Sequence, residues 1–296
     1  MGKVKRIMWK VADGLCNLVL LAGGLIALWL VLQVTTYASF KVPTDSMQPT
    51  LIPGDYILVN KWVMGGRVFD VWKSLERKEV RIWRLPGLRR AERGDVLVFN
   101  FPYPVRPDSI SMDIMKYYVK RCVALPGDTF EIRRARYTVR GYAKPLGNVE
   151  AQDQLQQMLE WGQGERIVLK GYPYNELFDW SIQEFGPLYV PAKGDSIEMN
   201  VGHVALYKNL IEWEQKKPLV VRGDSVWLND SLITGYRFRE NYYFMAGDRV
   251  VNSQDSRYWG LVPEPYIVGK ATRIWKSADP WTEEIRWERV MKAIGD

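Results

Sequence analysis

The sequence predicts a mainly β domain held behind a single N-terminal membrane helix. Three observations carry that reading: one uncharged apolar run near the start, a Gly-Asp pair that recurs before alternating apolar residues, and few helical patterns in the rest of the chain. The chain has 296 residues, 47% of them hydrophobic and 25% charged, which suffices for one large core or two small ones. Its two cysteines, Cys16 and Cys122, build neither a disulfide framework nor a cysteine-rich metal site. His203 is the single histidine, which removes most metal sites and leaves any Ser-His-Asp mechanism dependent on that residue alone. No metal and no cofactor is expected.

Between Gly14 and Phe40 there is no charged residue, and Leu15 to Val34 is an almost continuous apolar run, long enough to cross a bilayer as a helix. A transmembrane helix is therefore expected over residues 14–36. Thr36 and Ala38 imitate the small residues before a signal-peptide cleavage site, yet the run exceeds an ordinary signal-peptide core. Lys3, Lys5, Arg6 and Lys10 precede it against Asp13 alone, so residues 1–13 belong in the cytoplasm and everything after Lys41 outside.

Gly-Asp recurs at residues 54–55, 94–95, 127–128, 194–195 and 223–224, as in PGDYILV, RGDVLVF and PGDTFEI. Glycine supplies a positive φ, aspartate bonds the local backbone, and the alternation behind them has the period of a half-buried strand. Residues 37–132 and 218–278 are read as a β core, and 133–217 as a smaller second β subdomain or cap. Within the second subdomain Glu150 to Trp161 reads as a polar helix, and VGHVALYKN around His203 reads as a strand. Asp279 and Pro280 look like the start of a C-terminal helix over 279–296, with Trp287, Val290, Met291 and Ile294 on one face.

Residues 61–93 stand apart, with ten Lys or Arg against four Asp or Glu, so that nearly all of the chain's net charge of +7 is local. Trp62, Trp72 and Trp83 lie among these charges. The mixture suits the headgroup layer of an anionic membrane, and equally a solvated basic insertion. Nucleic acid would attract such a stretch, but the expected topology puts it on the wrong side of the membrane, and no nucleic-acid partner is expected.

A nucleophile candidate lies just beyond the membrane run, in Pro43-Thr44-Asp45-Ser46-Met47-Gln48-Pro49-Thr50, where two prolines fix the backbone around Ser46. A lysine can activate serine only as a neutral amine, so its pKa must fall from about 10.4 toward 7 or 8, which requires burial. Lys120 fits, because it follows Tyr117-Tyr118-Val119 and precedes Arg121-Cys122-Val123-Ala124-Leu125 inside a strand-like run. Taken singly, Ser46 reads equally as a turn residue and Lys120 as an edge-strand lysine.

Four segments in this order resemble the conserved boxes of bacterial type I signal peptidases: PTDSMQPTLIPGDYILVNK from Pro43, RGDVLVFNFP from Arg93, YYVKRCVALPGD from Tyr117 and GDRVVNSQDSRYWGLVP from Gly247. The resemblance implies a signal-peptidase-like β ectodomain, with a catalytic core and a smaller cap, that acts as a serine endopeptidase. It implies that Ser46 attacks the scissile carbonyl and Lys120 takes the hydroxyl proton, and that the Ser46 amide and the Thr44 hydroxyl bind the oxyanion. Ser253 and Asp255 match positions that orient the lysine, and Asp248 with Arg121 matches a supporting ion pair. Phe40, Val42, Pro43, Met47, Leu51, Tyr118 and Val119 lie where the family lines pockets for small residues. Preprotein signal peptides with small-X-small sites are the implied substrates, cut at the outer face of the cytoplasmic membrane. The family's usual GDNRDNS is GDRVVNS here, so Arg249, Val250 and Val251 change the hydrogen bonding near Asp248. Three other readings are an inactive β scaffold derived from a peptidase, a self-cleaving repressor-type Ser-Lys peptidase, and a triad built on His203. The intact Ser46 and Lys120, the membrane run and the lack of a DNA-binding helix pair, and the ordinary setting of His203 weigh against each in turn.

Overall fold

In the computed structural model, residues 2–76, 80–164 and 167–295 are described. Helix α1 (Gly2–Thr35) is continuous through the expected span. Its Ala12–Trp29 window has mean hydropathy 1.7 and no side chain packed against the rest of the protein. That makes it, among the described residues, the one helix long and apolar enough to cross a membrane. Strands β1 (Tyr37–Lys41) and β2 (Asp55–Asn60) follow, then β3 (Arg67–Val68), α2 (Val71–Leu75), β4 (Trp83–Arg84), β5 (Val96–Asn100) and β6 (Tyr117–Ala124). After β6 come β7 (Thr129–Arg133), β8 (Arg136–Val139), α3 (Val149–Glu160), β9 (Phe185–Tyr189), β10 (Ser196–Glu198) and α4 (Val201–Gln215). The chain closes with β11 (Leu219–Arg222), β12 (Ser225–Leu228), β13 (Ser231–Ile233), β14 (Gly235–Arg237), β15 (Tyr242–Ala246), α5 (Ser256–Trp259), β16 (Val262–Pro263) and β17 (Ile267–Ser277).

Each of the five Gly-Asp pairs opens a strand, and each glycine sits at positive φ, between 60° and 96°. At four of them the aspartate accepts from the amide three residues back, as Asp55 does from Ile52 and Asp95 from Glu92. These turns deliver strands to a seven-stranded antiparallel sheet ordered β1-β2-β17-β5-β6-β15-β16. Register shifts in β17 and β15 curl it. In β5, Val96 and Val98 enter one hydrophobic cluster while Leu97 and Phe99 enter the other. A strand buried on both faces reads as a continuous apolar run, which is why VLVF lacks alternation.

The second unit is mixed rather than all β. It holds the sheet β8-β7-β9, the pair β10-β14, the sheet β11-β12-β13, and helices α3 and α4. Beyond residue 217, strands β11 to β14 stay outside the large sheet, which the chain rejoins at β15. The expected polar helix is α3, capped by the Asn148 side chain on the Ala151 amide. The expected strand around His203 is instead α4, capped by Asn200 on the His203 amide. Val204, Tyr207, Leu210 and Ile211 recur at helical spacing and are buried, and that period overrides the short alternation in the sequence.

No α-helix forms over 279–295 either. Asp279 caps the amides of Trp281 and Thr282 in a tight turn, and Glu283 and Met291 adopt left-handed φ that interrupts any helix. The segment folds back along β17 through Ile274–Lys292 and Ile294–Thr272 backbone bonds. Arg289 reaches the buried Asp55 at 2.6 Å, and Ile294 enters the core.

Residues 61–93 are neither wholly solvated nor wholly free. Arg67 turns inward to the Asn100 side-chain Oδ1 at 2.8 Å and the Tyr266 backbone carbonyl at 3.1 Å, while Arg84 donates to the carbonyls of Gly65, Glu264 and Ile267. The two arginines rivet the insertion to the rim of the sheet. Trp62, Trp72 and Trp83 stay exposed, and the β3 backbone lies beside α1.

Candidate active site

The loop between β1 and β2 carries Ser46. Met47 and Leu51 are fully buried in one core cluster together with Val42, so the turn is nailed down on both sides of the serine. Lys120 lies midway along β6, where burial deepens from Tyr117 to Cys122, and is 5% exposed. Its Nζ stands 2.5 Å from Ser46 Oγ. Burial pushes the Lys120 ammonium down to about 8, the nearby Arg257 adding to the effect while Asp255, Asp248 and Asp45 oppose it. Thr44 Oγ1 is 3.5 Å from Ser46 Oγ.

A web of polar contacts surrounds the pair. Asp248 accepts from Arg121 Nε at 2.7 Å and Nη2 at 2.8 Å, the ion pair expected from the sequence, and from the Thr50 hydroxyl at 2.5 Å. Asn148, from the cap of α3, donates to the Asp248 carbonyl at 3.0 Å and so ties the second unit to the site. Gly247 abuts Ser46, since a Cβ there would fall 2.6 Å from the Ser46 carbonyl oxygen and 2.1 Å from Ser253 Oγ. Neither Ser253 nor Asp255 bonds Lys120 directly. Ser253 Oγ is buried with no hydrogen-bond partner among the described residues. Asp255 is fully buried, accepts from the Gly247 amide at 2.9 Å, and holds Arg257 through both its oxygens at 2.8 Å. Burial alone would raise the Asp255 carboxyl, and the Arg257 guanidinium outweighs it and holds the group below the usual carboxylate range.

Arg257 was not foreseen, although it is fully buried and also meets the Val250 and Ser253 carbonyls and the rings of Tyr137 and Tyr258. The one sequence signal for it is a charge two residues after Asp255, which is weak. Of the expected pocket residues, Val42, Met47 and Leu51 are buried in the core and present no surface to a substrate, while Phe40, Pro43, Tyr118 and Val119 keep accessible surface. Phe40 packs on Tyr117 at 4.7 Å and Tyr118 stacks on Phe101 at 4.5 Å. His203 belongs elsewhere, on the first turn of α4, where Nδ1 engages the Glu198 carbonyl at 2.5 Å.

A buried amine held on a serine hydroxyl suits a serine hydrolase in which an amine replaces imidazole. The comparisons with known proteins make this specific. A family model described as signal peptidase, peptidase S26, matches residues 15–276. The signal peptidase I of Buchnera aphidicola subsp. Schizaphis graminum is 28% identical over 263 residues, covering 86% of this chain and 74% of its own. That of Pseudomonas aeruginosa is 30% identical over 258 residues, covering 84% of this chain and 68% of its own. A solved signal peptidase I from Enterococcus faecalis V583 aligns with 63% of this chain and all of its own, at 18% identity and a TM-score of 0.29, which adds no weight. The chain belongs to the signal peptidase family, peptidase S26, whose members are serine endopeptidases that cleave signal peptides.

Proposed function

We propose that this chain cuts preprotein signal peptides after small-X-small sites, with Ser46 as nucleophile and Lys120 as general base. The observation that carries the reading is the 2.5 Å approach of Lys120 Nζ to Ser46 Oγ in a setting that lowers the amine toward neutrality. As Ser46 Oγ bonds the scissile carbonyl carbon, its proton passes to Nζ. The carbonyl oxygen takes the negative charge, held by the Ser46 amide and the Thr44 hydroxyl. Collapse expels the new amino terminus with the proton from Nζ, and a water deprotonated by Lys120 then releases the acyl chain. Asp248 with Arg121, and Asp255 with the buried Ser253, hold the Gly247 corner against Ser46 and so fix the geometry. The accessible surfaces of Phe40, Pro43, Tyr118 and Val119 would receive substrate, while Val42, Met47 and Leu51 lie in the core beneath them.

The basic residues before the apolar run support an N-terminus in the cytoplasm and a catalytic domain on the outer face of the cytoplasmic membrane. Residues 36–46 link helix to nucleophile, which keeps Ser46 near the plane where a signal peptide emerges. The exposed tryptophans of 61–93, a segment whose β3 lies beside α1, support contact with anionic headgroups, and the second unit is assigned no catalytic role.

The test is cleavage of a preprotein with an Ala-X-Ala site by the full-length protein in detergent. Ser46→Ala and Lys120→Ala are each expected to abolish turnover, by about 10⁴-fold or more, and His203→Ala to leave it intact. Turnover that survives Lys120→Ala, or is lost in His203→Ala, would overturn the assignment.

A further inference from the structure

Asp45 stands between Thr44 and Ser46, so its carboxylate puts a full negative charge next to the place where the proposed reaction develops one. Left alone it would oppose the step. The structure does not leave it alone. Arg249 Nη1 pairs with Asp45 Oδ2, and Asn252 Nδ2 lies 3.2 Å from both carboxylate oxygens. Beneath this clasp the Arg249 amide donates to the Ser46 carbonyl at 3.1 Å, and the Asn252 amide to the Arg249 carbonyl at 2.9 Å. The turn that presents both side chains is itself fixed. Asp248 is held by Arg121, Val250 is buried, and the Val250 carbonyl accepts from Arg257 at 3.0 Å.

We propose that Arg249, assisted by Asn252, is a positioning residue that neutralises Asp45 and pins the nucleophile turn from outside, so that Ser46 and Thr44 meet the oxyanion without a competing anion. The proposal rests on the reading of Ser46 as nucleophile. It also gives the Arg-Val-Val segment a role, in which Arg249 supplies the charge that Asp45 requires and Val250 supplies the apolar plug that keeps the turn in place. The bland alternative is a surface ion pair, since the two side chains are 41% and 34% exposed, and such pairs contribute little to stability. Stability therefore does not separate the two readings, and charge beside the reacting carbonyl does.

The experiment compares wild type, Arg249→Gln, Arg249→Lys, Asp45→Asn and the double variant Asp45→Asn/Arg249→Gln, as full-length proteins in detergent cleaving an Ala-X-Ala preprotein. Arg249→Gln is expected to lower kcat on the order of fivefold with KM moved less than about twofold. Arg249→Lys should keep most of the activity, and the double variant should recover to within about twofold of wild type, because the charge that needed compensation is gone. The acid limb of the pH profile supplies an independent readout. Lys120 is faced by Asp255, Arg257, Asp248 and Asp45, so an uncompensated Asp45 should move the limb up in Arg249→Gln, and its removal should move the limb down in Asp45→Asn. A double variant as impaired as Arg249→Gln, or an Arg249→Gln indistinguishable from wild type, would overturn the proposal. An active Ser46→Ala would overturn the nucleophile assignment instead, so the two failures are separable.

Discussion

Strand β6 and helix α5 each bury a basic side chain, and they treat it in opposite ways. Arg257, on α5, receives a carboxylate through two hydrogen bonds, a backbone carbonyl and two aromatic faces. Lys120, on β6, receives a serine hydroxyl. Both lose their hydration on leaving water, but only the guanidinium holds a carboxylate directly, although its Nη1 has no hydrogen-bond partner among the described residues. Burial lowers both groups, but for the arginine the pairing with Asp255 overrides it and drives the group up, while the lysine falls to about 8. Asp255 is the hinge of this contrast. Although Asp255 opposes the fall of the Lys120 amine, burial outweighs it, and Arg257 adds to the lowering.

The contrast can be broken most severely at Asp255. Asp255→Asn strands a buried guanidinium and is expected to cost roughly 3–5 kcal/mol of folding stability, measured by denaturant titration in detergent. A loss below about 1 kcal/mol would mean that Arg257 is not held as described. Next in size comes Lys120→Met. A basic group whose folded pKa lies below its unfolded value penalises the fold at low pH, with the penalty shed as pH rises from about 8 to the unfolded value. Replacement by methionine should thus stabilise the protein at pH 7 by about 3 kcal/mol, with the advantage shrinking between about pH 8 and 10.5. A variant less stable than wild type at pH 7 would speak against an uncompensated amine. The smallest effect on activity is expected from Arg257→Met, which also costs stability by leaving Asp255 buried without its partner, and which frees Asp255 to act on Lys120. Its acid limb for cleavage should rise by about one pH unit, and an unmoved limb would remove Arg257 from the electrostatics of the site.

How much of this was legible depends on range. Gly-Asp turns act over three residues, so every strand they announced is present, and the uncharged run announced α1 equally well. Ser46 and Lys120 were legible through their segments, but their 2.5 Å approach joins positions 74 residues apart and is a property of the curled sheet. The stretch around His203 misled because a nine-residue apolar pattern fits both periods, and the Asn200 cap was the signal that favoured a helix. The C-terminal segment misled because its fate is set by Asp55, far back in the chain, which captures Arg289 and draws the segment along β17. The Asp45–Arg249 clasp is likewise a pairing that appears only when distant turns meet, whereas Arg257 lies two residues from its partner and was missed because nothing in the local pattern marks it as buried.

The pH dependence of kcat/KM for the full-length protein tests the neutral amine most directly. With Lys120 as base, the rate should fall about tenfold per unit below roughly pH 8. A rate that stays level from pH 8 to pH 5 would contradict it.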